Sequence, residues 1–240
     1  MKTRMIVMLS IGMMMLHARA FAASAPEQML EKIHWFGQAT VKIEMGEKSL
    51  YIDPFQLEKD DPADFIFITH VHDDHYSPND IRKVMKGSTV FFAPKDAAAK
   101  LREQFPQATI IAVAPGATQQ QDGLTIEAVP AYNVTKTQFH PKANNWVGYL
   151  LTIDGVKIYH FGDTERIPEM KNIVCDIALL PLGQKYTMNS VQEAADAALD
   201  ARAKIAIPIH YGLYEGKAED ADAFAALLKG KVTVVIKPNE

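Results

Sequence analysis

The sequence predicts an α/β sandwich with sheets packed inside and helices outside, and three observations carry that expectation. Short runs rich in Val, Ile, Phe and Tyr recur along the 240 residues and read as strands. Segments with helical patterning and recognisable caps lie between them. Strand-rich stretches interrupted by helices occur in one half of the chain and again in the other, which calls for sheets covered by helices.

The N-terminus comes first and belongs to no fold element. Lys2 and Arg4 precede Met5 to Leu16, a 12-residue uncharged and mostly apolar run, and small residues follow from Ala18 to Ala25. That order is a secretory signal peptide's, and the run is shorter than the about 20 residues of a membrane span. The expected division is a signal segment over 1–22, cut after Ala20 or Ala22, and a single domain over 23–240. The expected location is the periplasm or the exterior, with no stable membrane span after cleavage. Six of the 11 methionines would leave with Lys2, Arg4 and Arg19, taking the net charge from −4 to −7.

Ile33–Phe36, Thr40–Glu44, Ser49–Ile52 and Phe65–Thr69 read as the first strands. Ser77 as N-cap, with Pro78 in the first turn, then opens a helix over Asn79–Met85. Val90–Ala93 and Thr109–Val113 flank a helix over Asp96–Phe105. Leu124–Pro130, Trp146–Ile153 and Val156–Phe161 continue the strands; Asp154-Gly155 between the last two is a hairpin signal, because both turn positions need positive φ. Ile177–Leu180, a helix over Ser190–Ala203, Ile205–Ile207, a helix over Ala218–Leu228 stopped by Gly230, and Val232–Ile236 complete the order. The chain carries no repeat and no linker, so one domain is the economical reading.

With 48% hydrophobic and 22% charged residues the chain is an ordinary globular protein and not a disordered one. No basic excess invites a nucleic-acid backbone. The single cysteine, Cys175, forms no internal disulfide and no cysteine metal cluster; among apolar neighbours it reads as a small buried hydrophobe.

The sharpest feature is His70-Val71-His72-Asp73-Asp74-His75, directly after the apolar run Phe65–Thr69. Side chains two apart on extended backbone point the same way, so His70 and His72 project together where the strand ends. The Asp73-Asp74 turn brings Asp74 and His75 to a second position beside them. Three imidazoles and a carboxylate within six residues suit Zn²⁺ or a similar divalent ion. Asp163, in Gly162-Asp163-Thr164, and His210, after Ile205–Ile209, also sit at the ends of apolar runs. Alone, the first is good turn chemistry and the second reads as a hydrogen-bonded core histidine. Their convergence on one sheet edge is what carries the expectation.

These residues resemble the metallo-β-lactamase superfamily, in particular its metal-dependent hydrolases similar to the ascorbate-phosphate lactonases. Trp35-Phe36-Gly37, Asp53-Pro54, the histidine motif, Gly148-Tyr149, Tyr159 through Thr164, Pro168-Glu169-Met170 and Pro208 through Gly212 carry the likeness. The resemblance implies a four-layer αββα sandwich with a two-metal site at one edge. It implies that His70 and His72 bind one ion, that Asp74, His75 and His210 bind the other, and that Asp163 bridges both. Two departures stand out. Asn133 occupies the strand end where the superfamily supplies a further histidine, and Gln38 follows Trp-x-Gly where histidine is common. His140 is a candidate to replace the missing ligand, with a surface loop or a substrate contact as its other readings. Tyr132, Asn133, Lys142, Asn144, Asn145 and Tyr186 are candidate polar pocket residues, while His160 and His34 read as packing or hydrogen-bonding residues.

The function expected is an exported hydrolase in which metal-bound hydroxide attacks a small ester, lactone or phosphoester, with Asp74 as the catalytic carboxylate. Zn is the expected cofactor, as one or two ions, with Mn or Fe also suited to the donors. The alternative is a non-catalytic metal-binding or sensory module whose first site the Asn133 change has degraded. A β-lactamase is less favoured, since fold does not fix substrate.

Overall fold

Phe65, Phe67, Ile66 and Ile68 are all buried, and a strand apolar on both faces has to be covered on both faces. The computed structural model describes residues 23–240, and the expected signal segment over 1–22 lies outside the described residues. Strands β1 (Ile33–Trp35), β2 (Val41–Met45), β3 (Lys48–Ile52), β4 (Phe65–Phe67), β5 (Val90–Pro94) and β6 (Thr109–Val113) form a six-stranded sheet in chain order. A seven-stranded sheet holds β7 (Thr118–Gln121), β8 (Leu124–Pro130), β9 (Val147–Ile153), β10 (Val156–His160), β11 (Ile177–Pro181), β12 (Ile205–Ile209) and β13 (Thr233–Val234), again in chain order. Each half begins with antiparallel pairs and ends with parallel ones.

Parallel neighbours need crossovers, and these carry the helices. Helix α1 (Ala25–Leu30) precedes the sheets; α2 (Pro78–Val84) and α3 (Lys95–Gln104) serve β4–β5–β6, and α4 (Val191–Asp200) and α5 (Ala218–Leu228) serve β11–β12–β13. Ser77 and Ser190 cap α2 and α4 through their side chains. Period-two alternation sorts the core into three apolar layers. Val41, Ile43, Leu50, Phe65 and Phe67 meet Ile126, Leu151, Ile158, Leu179 and Ile207 between the sheets. Ile66 and Ile68 meet Ile81, Ala97 and Leu101 of α2 and α3 outside one sheet. Leu150, Ala178, Leu180 and Ala206 meet Ala194, Ala198 and Phe224 of α4 and α5 outside the other. The result is the αββα order that the sequence predicts. Among the described residues no helix is long and apolar enough to cross a membrane.

Two elements escape the sequence reading. Strand β7, Thr-Gln-Gln-Gln, is largely exposed at the sheet edge and offers no apolar alternation. Helix α1 sits in the small-residue stretch assigned to processing; its capping signal is Ser24 with Glu27, whose carboxylate accepts from the Ser24 N–H at 2.7 Å, and Met29 anchors it in the core.

Candidate metal centre

The ends of β4, β10 and β12 lie at one rim of the sandwich and release His70, Asp163 and His210 there, joined by the 70–76 turn and the loop after β8. The turn closes on the carbonyl of His72, which accepts from the N–H groups of His75 (3.0 Å) and Tyr76 (2.8 Å). That return swings Asp74 and His75 away from the His70–His72 pair.

Two donor sets result. Asp74, His75 and His210 form one, His70, His72 and His140 the other, and Asp163 stands between them. Asp163 Oδ1 lies 3.4 Å from His75 Nε2 and 3.2 Å from His210 Nε2. Its Oδ2 lies 3.4 Å from His140 Nε2 and 4.0 Å from His70 Nε2. His75 Nε2 and His210 Nε2 are 3.3 Å apart, and each is 3.6 Å from Asp74 Oδ2. Donors bound at about 2.0–2.1 Å to a tetrahedral ion stand roughly 3.3–3.4 Å apart, so this set has the edges of a coordination tetrahedron. His140 Nε2 and Asp163 Oδ1 are buried with no hydrogen-bond partner among the described residues. Buried polar atoms are ordinarily satisfied, and a cation between them is the group that fits these.

His140 enters the set because of Asn133. The Asn133 backbone N–H donates to the His140 carbonyl at 2.8 Å, and its side-chain amide donates to the carbonyls of Tyr186 (2.7 Å) and Lys136 (3.2 Å). Asn133 thus pins the loop whose far end delivers the imidazole. His140 Nδ1 lies 3.2 Å from the Tyr186 carbonyl; donating there leaves the Nε2 lone pair facing Asp163. Glu165 clamps the same loop, accepting from the N–H groups of Val134, Thr135 and Lys136.

A further ring of residues orients the donors. Asp53 Oδ2 sits 2.8 Å from His75 Nδ1 and accepts from Thr69 Oγ1 at 2.6 Å, and that hydroxyl lies 3.0 Å from His70 Nδ1. Glu215 Oε1 lies 2.9 Å from His210 Nδ1, while its Oε2 accepts from the N–H groups of Lys185 (2.8 Å) and Tyr186 (2.6 Å). Gly183 is glycine for this reason, since a Cβ there would overlap the Glu215 carboxylate. Gln38 Nε2 donates to Asp74 Oδ2 at 2.8 Å, and the Gln38 carbonyl accepts from His210 N–H at 2.7 Å. Gln38 (φ 44), Asp53 (φ 47) and His210 (φ 55) all hold left-handed backbone, a conformation that costs a non-glycine residue energy and concentrates at functional sites.

Charge follows the split. Burial resists ionising His75, but Asp163, Asp74 and Asp53 outweigh it and carry the imidazole up to about 10. His210 also rises against its burial, through Asp163, Asp74 and Glu215. Burial and the neighbouring imidazolium of His75 instead push His70 well below its ordinary value. Asp163 and Asp74 are driven down by these histidines despite burial. A cation would take the place of protons here, because imidazole must be neutral to bind one.

Of the residues predicted from sequence, His70, His72, Asp74, His75, Asp163 and His210 meet at this rim together with His140. Asn133 braces the loop instead of standing in for a histidine. Tyr186 lines the adjoining pocket, whereas Tyr132 and Lys142 belong to a separate hydrogen-bonded group with Glu169. His160 is buried, with Nε2 3.0 Å from the Ala39 carbonyl. Cys175 is buried, and burial pushes its thiol up to about 12. Asp53 was visible in its Asp-Pro motif without a role; nothing in Leu213-Tyr214-Glu215 marks Glu215, and Trp146, packed against the rings of His70, His72 and His140, reads as strand.

The comparisons agree with this fold and site. A family model described as Beta-lactamase superfamily domain matches residues 32–210. A metal-dependent hydrolase of Geobacillus is 34% identical over 225 residues, covering 87% of this chain and 98% of the relative. One of Thermococcus onnurineus is 34% identical over 227 residues, covering 87% and 97%. The crystal structure of a Parabacteroides distasonis protein assigned as a metal-dependent hydrolase is 34% identical, with a TM-score of 0.74 over 85% of this chain and 91% of that one. Igni18, a metallo hydrolase of Ignicoccus hospitalis, shares the fold at a TM-score of 0.71 and 24% identity, over 87% and 95%. Fold and site define a metal-dependent hydrolase of the metallo-β-lactamase type. Within that class the chain belongs to the UPF0173 metal-dependent hydrolase family.

Proposed function

We propose that the protein is an exported hydrolase that cleaves a small ester, lactone or phosphoester at a two-ion centre. His70, His72 and His140 would hold one ion, Asp74, His75 and His210 the other, and Asp163 would give one oxygen to each. The observation that carries this reading is the division of the Asp163 carboxylate between the two donor sets. Divalent ions held there would supply a water of near-neutral pKa and a Lewis acid for the substrate oxygen. Zn leads for a set of imidazoles and carboxylates, with Mn or Fe also compatible. Export rests on Lys2, Arg4 and the apolar run that follows them.

The protein's own groups do the rest. Asp74 lines the pocket and is ionised at neutral pH, since His75 and His210 hold its carboxyl down against burial. It is placed to accept a proton from the attacking water, and Gln38 fixes its direction. Asp163 and the histidines keep the reacting atoms in one geometry, which is where much of a barrier is lost. Because His140 completes a third-histidine set, the Asn133 change does not leave the first position with two imidazoles.

The test is turnover of lactone, thioester, phosphodiester and cephalosporin substrates by the metal-loaded protein and by Asp74→Ala. Loss of an essential acid–base group costs about 10²–10⁴-fold, so the variant should lose that much while keeping the wild-type circular dichroism spectrum. Equal turnover in a folded Asp74→Ala would refute the assignment.

A further inference from the structure

The metal centre opens into a pocket of about 290 Å³. On its inner side lie His72, Asp74, His140, Asp163 and His210; its remaining wall is Phe139, Tyr186 and Tyr214. The Phe139 and Tyr186 rings pack edge to face, 4.9 Å between centroids and 90° between planes, so they form a fixed apolar surface. Tyr214 lies near Phe55, ring centroids 6.4 Å apart. No lysine or arginine lines the pocket. Lys185 is not among its walls, and its Nζ rests 4.5 Å from the Tyr186 ring centroid.

The mouth has the same character. Val134, Leu213 and Tyr214 are about half exposed, one on the loop that carries His140 and two on the segment after His210. Apolar side chains left open around a cleft mark a site for an apolar ligand. A substrate anion remote from the reacting bond would need a cationic or N–H partner to offset its desolvation. The walls supply no charged one.

From these walls we infer that the substrate carries an uncharged, apolar or flat aromatic group on the side away from the reacting bond, and that substrates bearing a phosphate or carboxylate there are rejected. The inference rests on the hydrolase reading of the same centre and narrows it to neutral esters and lactones. Phe139, Tyr186 and Tyr214 become the specificity-determining residues.

Two esters with the same leaving group test it: p-nitrophenyl butyrate and mono-p-nitrophenyl succinate, which differ only in a remote carboxylate. The metal-loaded full chain should favour the butyrate by at least tenfold in kcat/KM. Phe139→Ala and Tyr186→Ala should lower kcat/KM for the butyrate several-fold, chiefly by raising KM; the backbone N–H and carbonyl of Tyr186 survive that change. Tyr214→Lys, at a half-exposed position, should raise kcat/KM for the succinate. Equal use of both esters, preference for the succinate, or indifference to all three substitutions would overturn the inference. Binding of the neutral dye Nile red is measured in parallel. It should bind wild type, be displaced by a neutral arylamide and weaken in Phe139→Ala and Tyr186→Ala. If neither ester is cleaved, the hydrolase reading suffers while dye binding decides the pocket's preference: displaceable binding upholds it, and absent or unaltered binding overturns it.

Discussion

Glu215 shows how much of the centre depends on side chains that would touch no ion. It faces His210 Nδ1 at 2.9 Å with one oxygen and takes two backbone N–H groups of the 183–187 loop with the other. The carbonyl of Tyr186 in that loop lies 3.2 Å from His140 Nδ1. One buried carboxylate therefore steadies a histidine in each donor set. Glu215→Gln keeps the size and one acceptor oxygen but loses the charge beside His210. Outer partners of metal-ligating histidines are commonly worth 10–100-fold in affinity, and a loss of that order is expected for the His210 position. Competition with a chromophoric chelator measures it; unchanged affinity for both ions would remove Glu215 from the site.

Among the elements, β4 and the turn after it were the most legible, because an apolar run ending in four ligand-type side chains has few other uses. His210 and Asp163 were legible only jointly. His140 was not decidable from spacing, since its place depends on Asn133 and Tyr186 bonding across 53 residues of chain. Strand β7 was invisible because an edge strand can be wholly polar. Helix α2 carries its own pH signature. Asp80 accepts from Ser77 Oγ, from the N–H groups of Gln56 and Leu57 and from Lys83. These contacts outweigh burial and hold its carboxyl below the ordinary value. A depressed folded pKa stabilises above the unfolded value of about 3.9 and loses that contribution as pH falls through the folded one. Asp80→Asn should therefore unfold at lower urea than wild type at pH 7, and the gap should narrow toward pH 2.5. A gap that widens in acid would reverse the sign.

At the scale of the molecule, the centre ties the two sheets together, because its donors come from the ends of strands in both. Ions bound only by the folded chain add about 2.7 kcal/mol when free metal is 100 times Kd, and 1 kcal/mol moves Tm by about 2–4 °C in a domain of this size. Chelation should therefore lower Tm by roughly 5–10 °C in calorimetry, with recovery on adding back Zn; a Tm indifferent to chelator would mean that the rim holds together without metal. The most direct measurement is anomalous diffraction from crystals grown with Zn. Two peaks are expected, roughly 3.5–4 Å apart, flanking the Asp163 carboxylate, one against His70, His72 and His140 and the other against Asp74, His75 and His210. A single peak, or a pair that leaves His140 without an ion, would contradict the two-ion centre.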